Sequence, residues 1–285
     1  MLCYDYAKAH YAQCELQSIA MHITDTEFKN FSDFIYNAAG ISMAPNKKTM
    51  ISSRLTSRVF KYDLGSFSEY YALITSGKVP SELQCAVDLL TTNETYFFRE
   101  MKHFDFLRRV LLQHKRSNVR VWSAACSTGE EPYSLAMVLA DALGLLPWEI
   151  FATDINHKVI KRASRGVYSD RVIEKIPKNY LYNYCLNGIR SREGLVLIDK
   201  KLRSRIRFEQ MNLNGGWPYY EPFDVIFLRN ILIYFSEQTR KILVRRIVQQ
   251  LRPGGYLMIG HSETITGISL DLECLQPSIY MKIKQ

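Results

Sequence analysis

The residues after about position 118 alternate between short apolar runs and amphipathic stretches, and this alternation limits the possible folds more than any other feature of the chain. The apolar runs have strand character and lie at 119–126, 148–155, 222–230 and 255–261. The stretches between them lie at about 132–143, 156–166 and 236–251 and have helical spacing. Strands that alternate with helices in this way form a parallel α/β sheet with right-handed crossovers.

Two further runs, at 194–198 and 205–211, also have strand character. We expect the first in a small antiparallel insertion rather than in the main sheet. The first ninety residues predict helices only. The expected helices are one that begins after Thr24 or Asp25, one at about 46–62, one at 67–75, and a mostly helical stretch at 82–114 with a break near 91–93.

The chain is basic, with 37 Lys and Arg against 28 Asp and Glu and a formal charge of +9. A basic chain raises the possibility of a nucleic-acid partner. However, the first ninety residues contain eight Lys and Arg against nine Asp and Glu, so the excess is local. It lies in two clusters, at 47–61 and at 158–207.

Several classes of protein and of site are disfavoured. No stretch approaches the roughly 20 apolar residues of a membrane helix, and the first twenty residues lack the order of a signal peptide. We therefore expect a cytoplasmic protein without membrane insertion. The six cysteines include no C-x-x-C pair, so we expect reduced thiols and no metal site.

Polar residues follow the predicted strands at the sheet edge where ligands bind in open α/β folds. The first turn contains only one glycine, Gly129, which disfavours a dinucleotide because a pyrophosphate needs close approach to glycine backbone. A ligand with a ribose remains allowed. Asp154 ends the second run and occupies the place of a ribose-binding carboxylate; the alternative is that it caps the helix at 156–166. P-loop, H-E-x-x-H and G-x-S-x-G motifs are absent from the sequence.

Four ordered motifs resemble the CheR family of chemotaxis receptor methyltransferases. They are TTNETYFFRE at 91–100, CSTGEEPYS at 126–134, RNILIYF at 229–235 and GHSE at 260–263. The resemblance runs from about residue 21 to the end. It implies a class I S-adenosylmethionine-dependent methyltransferase with a Rossmann-like sheet, an all-helical N-terminal domain and a small antiparallel β-subdomain. The implied divisions are an extension at 1–20, helices at 21–90, and the methyltransferase domain at 91–285 with the β-subdomain at about 180–205.

The resemblance also implies a cofactor site for S-adenosyl-L-methionine. The residues that match family positions are Asn93, Thr95, Arg99, Glu130, Asp154, Asn212, Leu213, Arg229 and Asn230. Leu228 stands where the family often has Cys. Arg190 stands where members that bind a receptor C-terminal pentapeptide have the second glycine of a Gly-x-Gly loop, so binding of such a peptide is not implied.

The family reaction is methylation of a glutamate side chain, which is already ionised at neutral pH and needs no general base. The resemblance makes Arg99 and Tyr234 the catalytic candidates; from spacing alone, Tyr234 is more simply a core aromatic residue. Glu131 is expected to be structural. Residues 261–263 are either a catalytic pair or, more simply, a polar strand exit.

Four cations on the helix at 46–62 fall within an arc of about 60°. They are Lys47, Arg54, Arg58 and Lys61. A solvated helix face is the usual explanation, but a stripe without acidic residues suits an acidic partner. The resemblance implies that these residues bind methyl-accepting chemotaxis receptors and that the protein acts as a monomer. Two alternatives stay open: a cofactor-binding signalling protein without turnover, and a nucleic-acid methyltransferase.

Overall fold

The computed structural model describes residues 22–114, 118–268 and 271–283. They form two compact units that divide between Thr92 and Asn93, called the helical unit and the sheet unit below. The extension expected at 1–20 lies outside the described residues. Within the described ranges, no helix has the length and apolar character needed to cross a membrane.

The helical unit contains four α-helices among its described residues. They are α1 Asp25–Ala39, α2 Lys48–Lys61, α3 Phe67–Thr75 and α4 Pro80–Leu90. Thr24 is the N-cap of α1 and forms a capping box with Glu27, in which each side chain accepts from the other residue's backbone N–H. Phe31, Leu55 and Tyr70 are fully buried, so α1, α2 and α3 share one apolar core.

The sheet unit alternates strands and helices as the sequence predicts. Its strands are β1 Val119–Ala124, β2 Trp148–Asp154, β3 Val167–Ser169, β4 Cys185–Asn187, β5 Leu195–Ile198, β6 Ile206–Gln210, β7 Phe223–Leu228, β8 Leu251–Ile259, β9 Leu272–Gln276 and β10 Ile279–Lys282. Its helices are α5 Lys102–His114, α6 Glu130–Leu143, α7 His157–Arg165, α8 Asp170–Ile173, α9 Lys178–Tyr184, α10 Lys200–Arg203 and α11 Glu237–Gln249.

Seven strands form the main sheet in the order β6-β2-β1-β7-β8-β10-β9. The first five are parallel, and β10 and β9 follow antiparallel. Ala124 of β1 pairs with Thr153 of β2 and with Leu228 of β7, so the carboxyl ends of these strands lie side by side. The β7 strand is buried along its whole length, as expected for a strand covered on both faces. The predicted Rossmann-like class is confirmed.

The structure differs from the sequence predictions in four places. The small antiparallel sheet, ordered β3-β5-β4, begins at Val167 rather than near 180. The β8 strand begins at Leu251, four residues before the apolar run expected at 255–261. The β9 and β10 strands were not predicted. Finally, the stretch expected at 82–114 contains eleven residues outside α-helix, 91–101, which contribute to the site described next.

Candidate active site

The turn after β1 is tight and is held at both ends. The Cys126 N–H donates to the Thr153 carbonyl oxygen (2.9 Å). Gly129 has φ +97°, and a Cβ atom there would lie 2.8 Å from both Ala163 Cβ and Tyr168 Oη. Only glycine fits this backbone conformation and this space. The single glycine of the turn is therefore needed for packing against α7, the helix that follows β2.

Asp154 is 7% exposed and holds two backbone segments. One carboxylate oxygen accepts from the Ser127 N–H and the other from the Asn156 N–H, both at 2.9 Å. The N-cap of α7 is Asn156, whose Oδ1 accepts from the backbone N–H groups of Lys158 and Val159. The alternative that Asp154 caps this helix is therefore wrong.

Other segments join Asp154 at the same edge of the sheet. The Ser127 hydroxyl donates to the Asn93 carbonyl oxygen (2.8 Å). The Met211 N–H donates to the Asp154 carbonyl oxygen (2.9 Å). Asn212 follows directly, and its Oδ1 accepts from the Asn214 N–H (3.0 Å); Leu213 beside it is buried. The structure thus brings Asn93, Asp154, Asn212 and Leu213 to one edge, as the sequence predicts.

The two carboxylates that open α6 have different surroundings. Glu130 is 3% exposed, and its carboxylate accepts from the Thr128 hydroxyl (2.6 Å). Burial raises the pKa of Glu130. Glu131 instead pairs with the Arg229 guanidinium (2.9 Å) and accepts from the Ser123 hydroxyl. This pairing agrees with a structural role for Glu131 and leaves Glu130 without a salt bridge.

Arg229 links two segments at the carboxyl end of β7. Its side chain is 2% exposed and contacts Glu100 (3.0 Å), Glu131 and the Arg99 carbonyl oxygen. Burial alone would raise the pKa of Glu100, but Arg229 and a hydrogen bond from Asn230 hold that pKa below its usual value. The Arg229 guanidinium therefore lies among protein groups, where it fixes the segment 97–100, rather than at an open surface.

The turn after Arg229 is held by one carboxylate that the sequence did not single out for this task. The Glu263 carboxylate accepts hydrogen bonds from four backbone N–H groups, three in the turn after β7 and one directly after β8. They belong to Asn230, Leu232, Ile233 and Gly260. Asn230 has φ +58°, and a Cβ atom at Gly260 would lie 2.5 Å from its Nδ2. The interpretation of 261–263 as a polar strand exit fits Glu263, but three of its four hydrogen bonds come from residues 30–33 positions away rather than from local groups.

The two catalytic candidates lie on the segments that Arg229 and Glu263 hold. Arg99 is half-buried; its guanidinium donates to the Glu94 carbonyl oxygen (3.0 Å) and lies over the Tyr96 ring. Tyr234 ends a 3-10 turn, Leu232–Tyr234, and its hydroxyl has no hydrogen-bond partner among the described residues. Thr95 is half-buried between Asn93 and Arg99.

A histidine pair beside this site escaped the sequence prediction. His103 is fully buried, and burial lowers its pKa to about 3. Its ring packs edge-on against His261 with centroids 5.0 Å apart. Glu100, His103 and His261 have potential ligand atoms within 4.8 Å of one another, although Glu100 is already engaged by Arg229 and Asn230. Their separation in the sequence, 100 and 103 against 261, gave no motif.

In the helical unit, the structure divides the predicted basic stripe into two kinds of residue. Arg58 forms a bidentate pair with Glu82 of α4, which is 2% exposed. Arg54 donates to the carbonyl oxygens of Leu89 and Thr91. Both arginines therefore hold α2 against α4, whereas Lys47 and Lys61 are exposed. Of the four predicted receptor-binding cations, Arg54 and Arg58 therefore have partners inside the helical unit, and Glu82 supplies the acid that the stripe itself lacks.

Family comparisons agree with this architecture. Residues 26–91 match the all-alpha domain of CheR methyltransferases, and residues 93–281 match the CheR methyltransferase S-adenosylmethionine-binding domain. A chemotaxis protein methyltransferase of Klebsiella aerogenes is 38% identical over 92% of this chain and 91% of its own length. One from Escherichia coli is 40% identical over 86% of each, and one from Borreliella burgdorferi is 36% identical over 93% of this chain and 97% of its own. The chain belongs to the CheR methyltransferase family and is an S-adenosylmethionine-dependent enzyme.

Proposed function

We propose that the protein methylates glutamate side chains in the cytoplasmic part of methyl-accepting chemotaxis receptors. One observation carries the proposal: the segment 93–100 is bonded at both ends to the edge of the sheet. Its first residue, Asn93, accepts from Ser127 beside Asp154. Its last residue, Glu100, binds Arg229 and Asn230. Arg99 and Tyr234 therefore belong to one connected framework with the cofactor edge.

The side chains at this edge suit S-adenosyl-L-methionine. Asp154 offers a buried carboxylate at the end of β2, where ribose hydroxyls bind in this fold. Glu130 is a buried carboxylate without a salt bridge among the described residues, and such a group favours a cationic ligand. When bound, the cofactor supplies a methyl group on a sulfonium cation. Asn93, Thr95, Asn212, Leu213 and the backbone of 229–230 complete the proposed cofactor set.

The remaining residues act on the acceptor carboxylate. A glutamate is ionised at neutral pH, so no group in the chain has to remove a proton. Arg99 can form two parallel hydrogen bonds with a carboxylate, and the Tyr234 hydroxyl, which has no partner in the part of the chain that the structure describes, can donate a third. Holding the reactants in line contributes up to about 7–11 kcal/mol to lowering the barrier. In this proposal Arg229 is a positioning residue, because it contacts the Arg99 backbone and not the acceptor.

Receptor recognition is proposed to involve α2. Two exposed cations are available to an acidic partner, Lys47 directly before α2 and Lys61 at its last position, and Arg54 and Arg58 fix the helix itself. Lys47→Glu with Lys61→Glu is the suitable test of this role, because Arg58→Glu would also break the buried pair with Glu82. The expected result is a raised KM for receptor with unchanged cofactor affinity.

Labelled S-adenosylmethionine incubated with receptor cytoplasmic fragments, and separately with RNA, tests the proposal. We expect base-labile label on receptor glutamates and none on RNA. Arg99→Ala should lower turnover at least tenfold with little change in melting temperature, since among the described residues the Arg99 guanidinium forms one hydrogen bond, to Glu94, and one ring contact, with Tyr96. Cofactor binding without label transfer would support a signalling protein without turnover, and label on RNA would support a nucleic-acid methyltransferase.

A further inference from the structure

The positive charge of the chain is concentrated in one segment of the sheet unit. Between positions 157 and 207 lie 14 of the 37 Lys and Arg residues but only 4 of the 28 Asp and Glu residues. This segment therefore carries a formal charge of +10, and the rest of the chain carries −1. The charge that makes the protein basic belongs to this segment and not to α2.

Two helices of the segment present cations to solvent. Five of these exposed cations, called the basic surface, are Lys161, Arg162 and Arg165 on α7 and Lys200 and Lys201 on α10. The two helices meet at Gly166, where a Cβ atom would lie 2.6 Å from Cδ of Arg203 in α10. The Gly166 carbonyl oxygen also accepts from the Ile198 N–H, just before α10. The exposed cations thus come from adjoining elements.

The basic surface forms no salt bridge within the parts of the chain that the structure describes. By contrast, Arg108 and Lys241 of the same unit are solvent-accessible and paired, Arg108 with Asp141 (3.1 Å) and Lys241 with Glu237 (2.5 Å). Like charges without partners repel one another and oppose compaction. The presence of these cations is therefore better explained by a role in binding a partner than by a role in stabilising the fold.

The basic surface adjoins the proposed cofactor site. The α7 helix begins three residues after Asp154, and the backbone N–H of its cap, Asn156, donates to the Asp154 carboxylate. Arg162 is close enough to lower the pKa of Glu130, although burial has the larger, opposite effect. A partner on the basic surface would therefore lie next to the edge at which methyl transfer is proposed.

The composition of the surface favours carboxylates as its ligand. Neither α7 nor α10 contains Phe, Tyr or Trp, so neither offers a platform on which nucleic-acid bases stack. The apolar residues of both helices, including Val159, Ile160 and Leu202, are buried. An interfacial membrane helix would instead turn its apolar face to the lipid. Two helices whose exposed side chains include five cations but no Phe, Tyr, Trp or aliphatic residue fit an acidic protein segment.

We propose that the basic surface on α7 and α10 binds an acidic segment of the substrate protein next to the glutamate that is methylated. The inference rests on the proposed function and adds a recognition surface within the sheet unit. Clustered charges of opposite sign accelerate association and orient the partner, and the interaction weakens as salt screens exposed charges.

The test is a pair of charge-reversed variants of the full-length protein. Lys161→Glu with Arg165→Glu is expected to raise KM for receptor cytoplasmic fragment at least tenfold. It should change kcat and S-adenosylmethionine affinity less than about twofold, and it should remove most of the salt dependence of kcat/KM. The matched control, Arg109→Glu with Lys241→Glu, changes charge equally at solvent-accessible sites of the same unit and should resemble the wild type. Lys161→Arg with Arg165→Lys should also retain wild-type KM.

The outcomes separate this inference from the proposed function. If the wild type methylates receptor and the reversed variant matches the control in KM and salt response, the inference is overturned and the function stands. If the wild type methylates no receptor, the proposed function is wrong. The inference is then tested by measuring the binding of labelled receptor fragment. Equal affinity of the wild type and the reversed variant would overturn it. Loss of binding to phosphatidylglycerol vesicles or duplex RNA, with receptor binding unchanged, overturns it as well.

Discussion

At the scale of single residues, Asp154 combines a structural task with the proposed binding task. Its carboxylate fixes the turn after β1 through Ser127 and the start of α7 through Asn156. A carboxylate oxygen can accept more than one hydrogen bond, so these backbone contacts are compatible with a ligand hydroxyl. The same side chain can therefore organise the edge of the sheet and bind at it.

Asp154→Asn is expected to weaken S-adenosylmethionine binding at least tenfold. Hydrogen bonds to a charged group contribute about 1.5–3 kcal/mol, and about 1.4 kcal/mol corresponds to a factor of ten in affinity. Isothermal calorimetry on the folded variant measures the change. Asp105→Asn, at an exposed position of α5, is the matched control. An unchanged dissociation constant in folded Asp154→Asn would remove this residue from the cofactor site.

At the scale of elements, the helical unit depends on one buried ion pair between α2 and α4. Arg58 binds Glu82 through two nitrogens, and Tyr62 and Tyr70 donate to the same carboxylate. Burial would raise the pKa of Glu82, but the hydrogen bond from Arg58 and those from the tyrosines hold that pKa below its usual value. Glu82 thus remains charged inside the unit because its partners are complete.

Arg58→Ala should destabilise the helical unit by about 3–5 kcal/mol, because it leaves the Glu82 charge buried without its partner. In the wild type, the stabilisation that the charged Glu82 gives to the helical unit depends on pH. The folded pKa of Glu82 is lowered, so its stabilisation is complete above the unfolded pKa of about 4.3 and is lost as the pH falls through the folded pKa. Urea unfolding at pH 7 and below pH 4 measures both effects. Lys29→Ala, an exposed position on α1, should change little.

The turn after β7 is the second element that depends on one carboxylate. Glu263→Gln replaces one acceptor oxygen by an NH₂ group, which then faces backbone N–H donors. A buried donor left unsatisfied costs about 1–3 kcal/mol. We expect unfolding free energy to fall by that amount and methyl transfer by the folded fraction to fall at least tenfold. Glu273→Gln on β9 is the control; wild-type turnover in Glu263→Gln would show that the turn tolerates the change.

Elements with strong periodicity were predictable from sequence, and elements defined by long-range pairing were not. The β7 run is apolar apart from Asp224 and α7 has a clear cap, so both were expected within two residues. The β9 strand is largely exposed, without a buried alternate face, and it is a strand only because β10 pairs with it. The β8 strand contains Pro253 and Gly254, and it pairs with β7 across a register shift.

The site was predictable where it follows strand ends and unpredictable where it depends on pairing across the fold. Asp154, Asn212 and Asn93 meet at the sheet edge as expected. The partners of Arg229 and Arg58 could not be inferred, because Glu100 is 129 positions from Arg229 and Glu82 is 24 from Arg58. The Glu263 contacts escaped for the same reason. Sequence indicated Arg229 and Arg58 but not the carboxylates that neutralise them.

At the scale of the whole molecule, the two units have separate cores. The core of the sheet unit is drawn from residues between Phe97 and Ile279, and the buried residues of α1–α4 form another. A ligand that binds one unit should therefore stabilise that unit directly. The proposed cofactor residues all lie in the sheet unit.

S-adenosylmethionine at 100 times its dissociation constant should stabilise the sheet unit by about 2.7 kcal/mol. In Arg58→Ala, we expect calorimetry to resolve two unfolding transitions, of which only the higher one moves when cofactor is added. Cofactor affinity should equal that of the wild type. A single transition that moves as a whole would show that the two cores unfold together.

Gly260 constrains which substitutions this chain can accept during evolution. Its α-carbon faces the Asn230 amide so closely that any side chain would displace that amide or the Glu263 carboxylate. The two positions are therefore not independent: a larger residue at 260 becomes tolerable only after Asn230 has been replaced by something smaller. A library randomised at both sites and selected for activity should return glycine at 260 in every clone that keeps asparagine at 230.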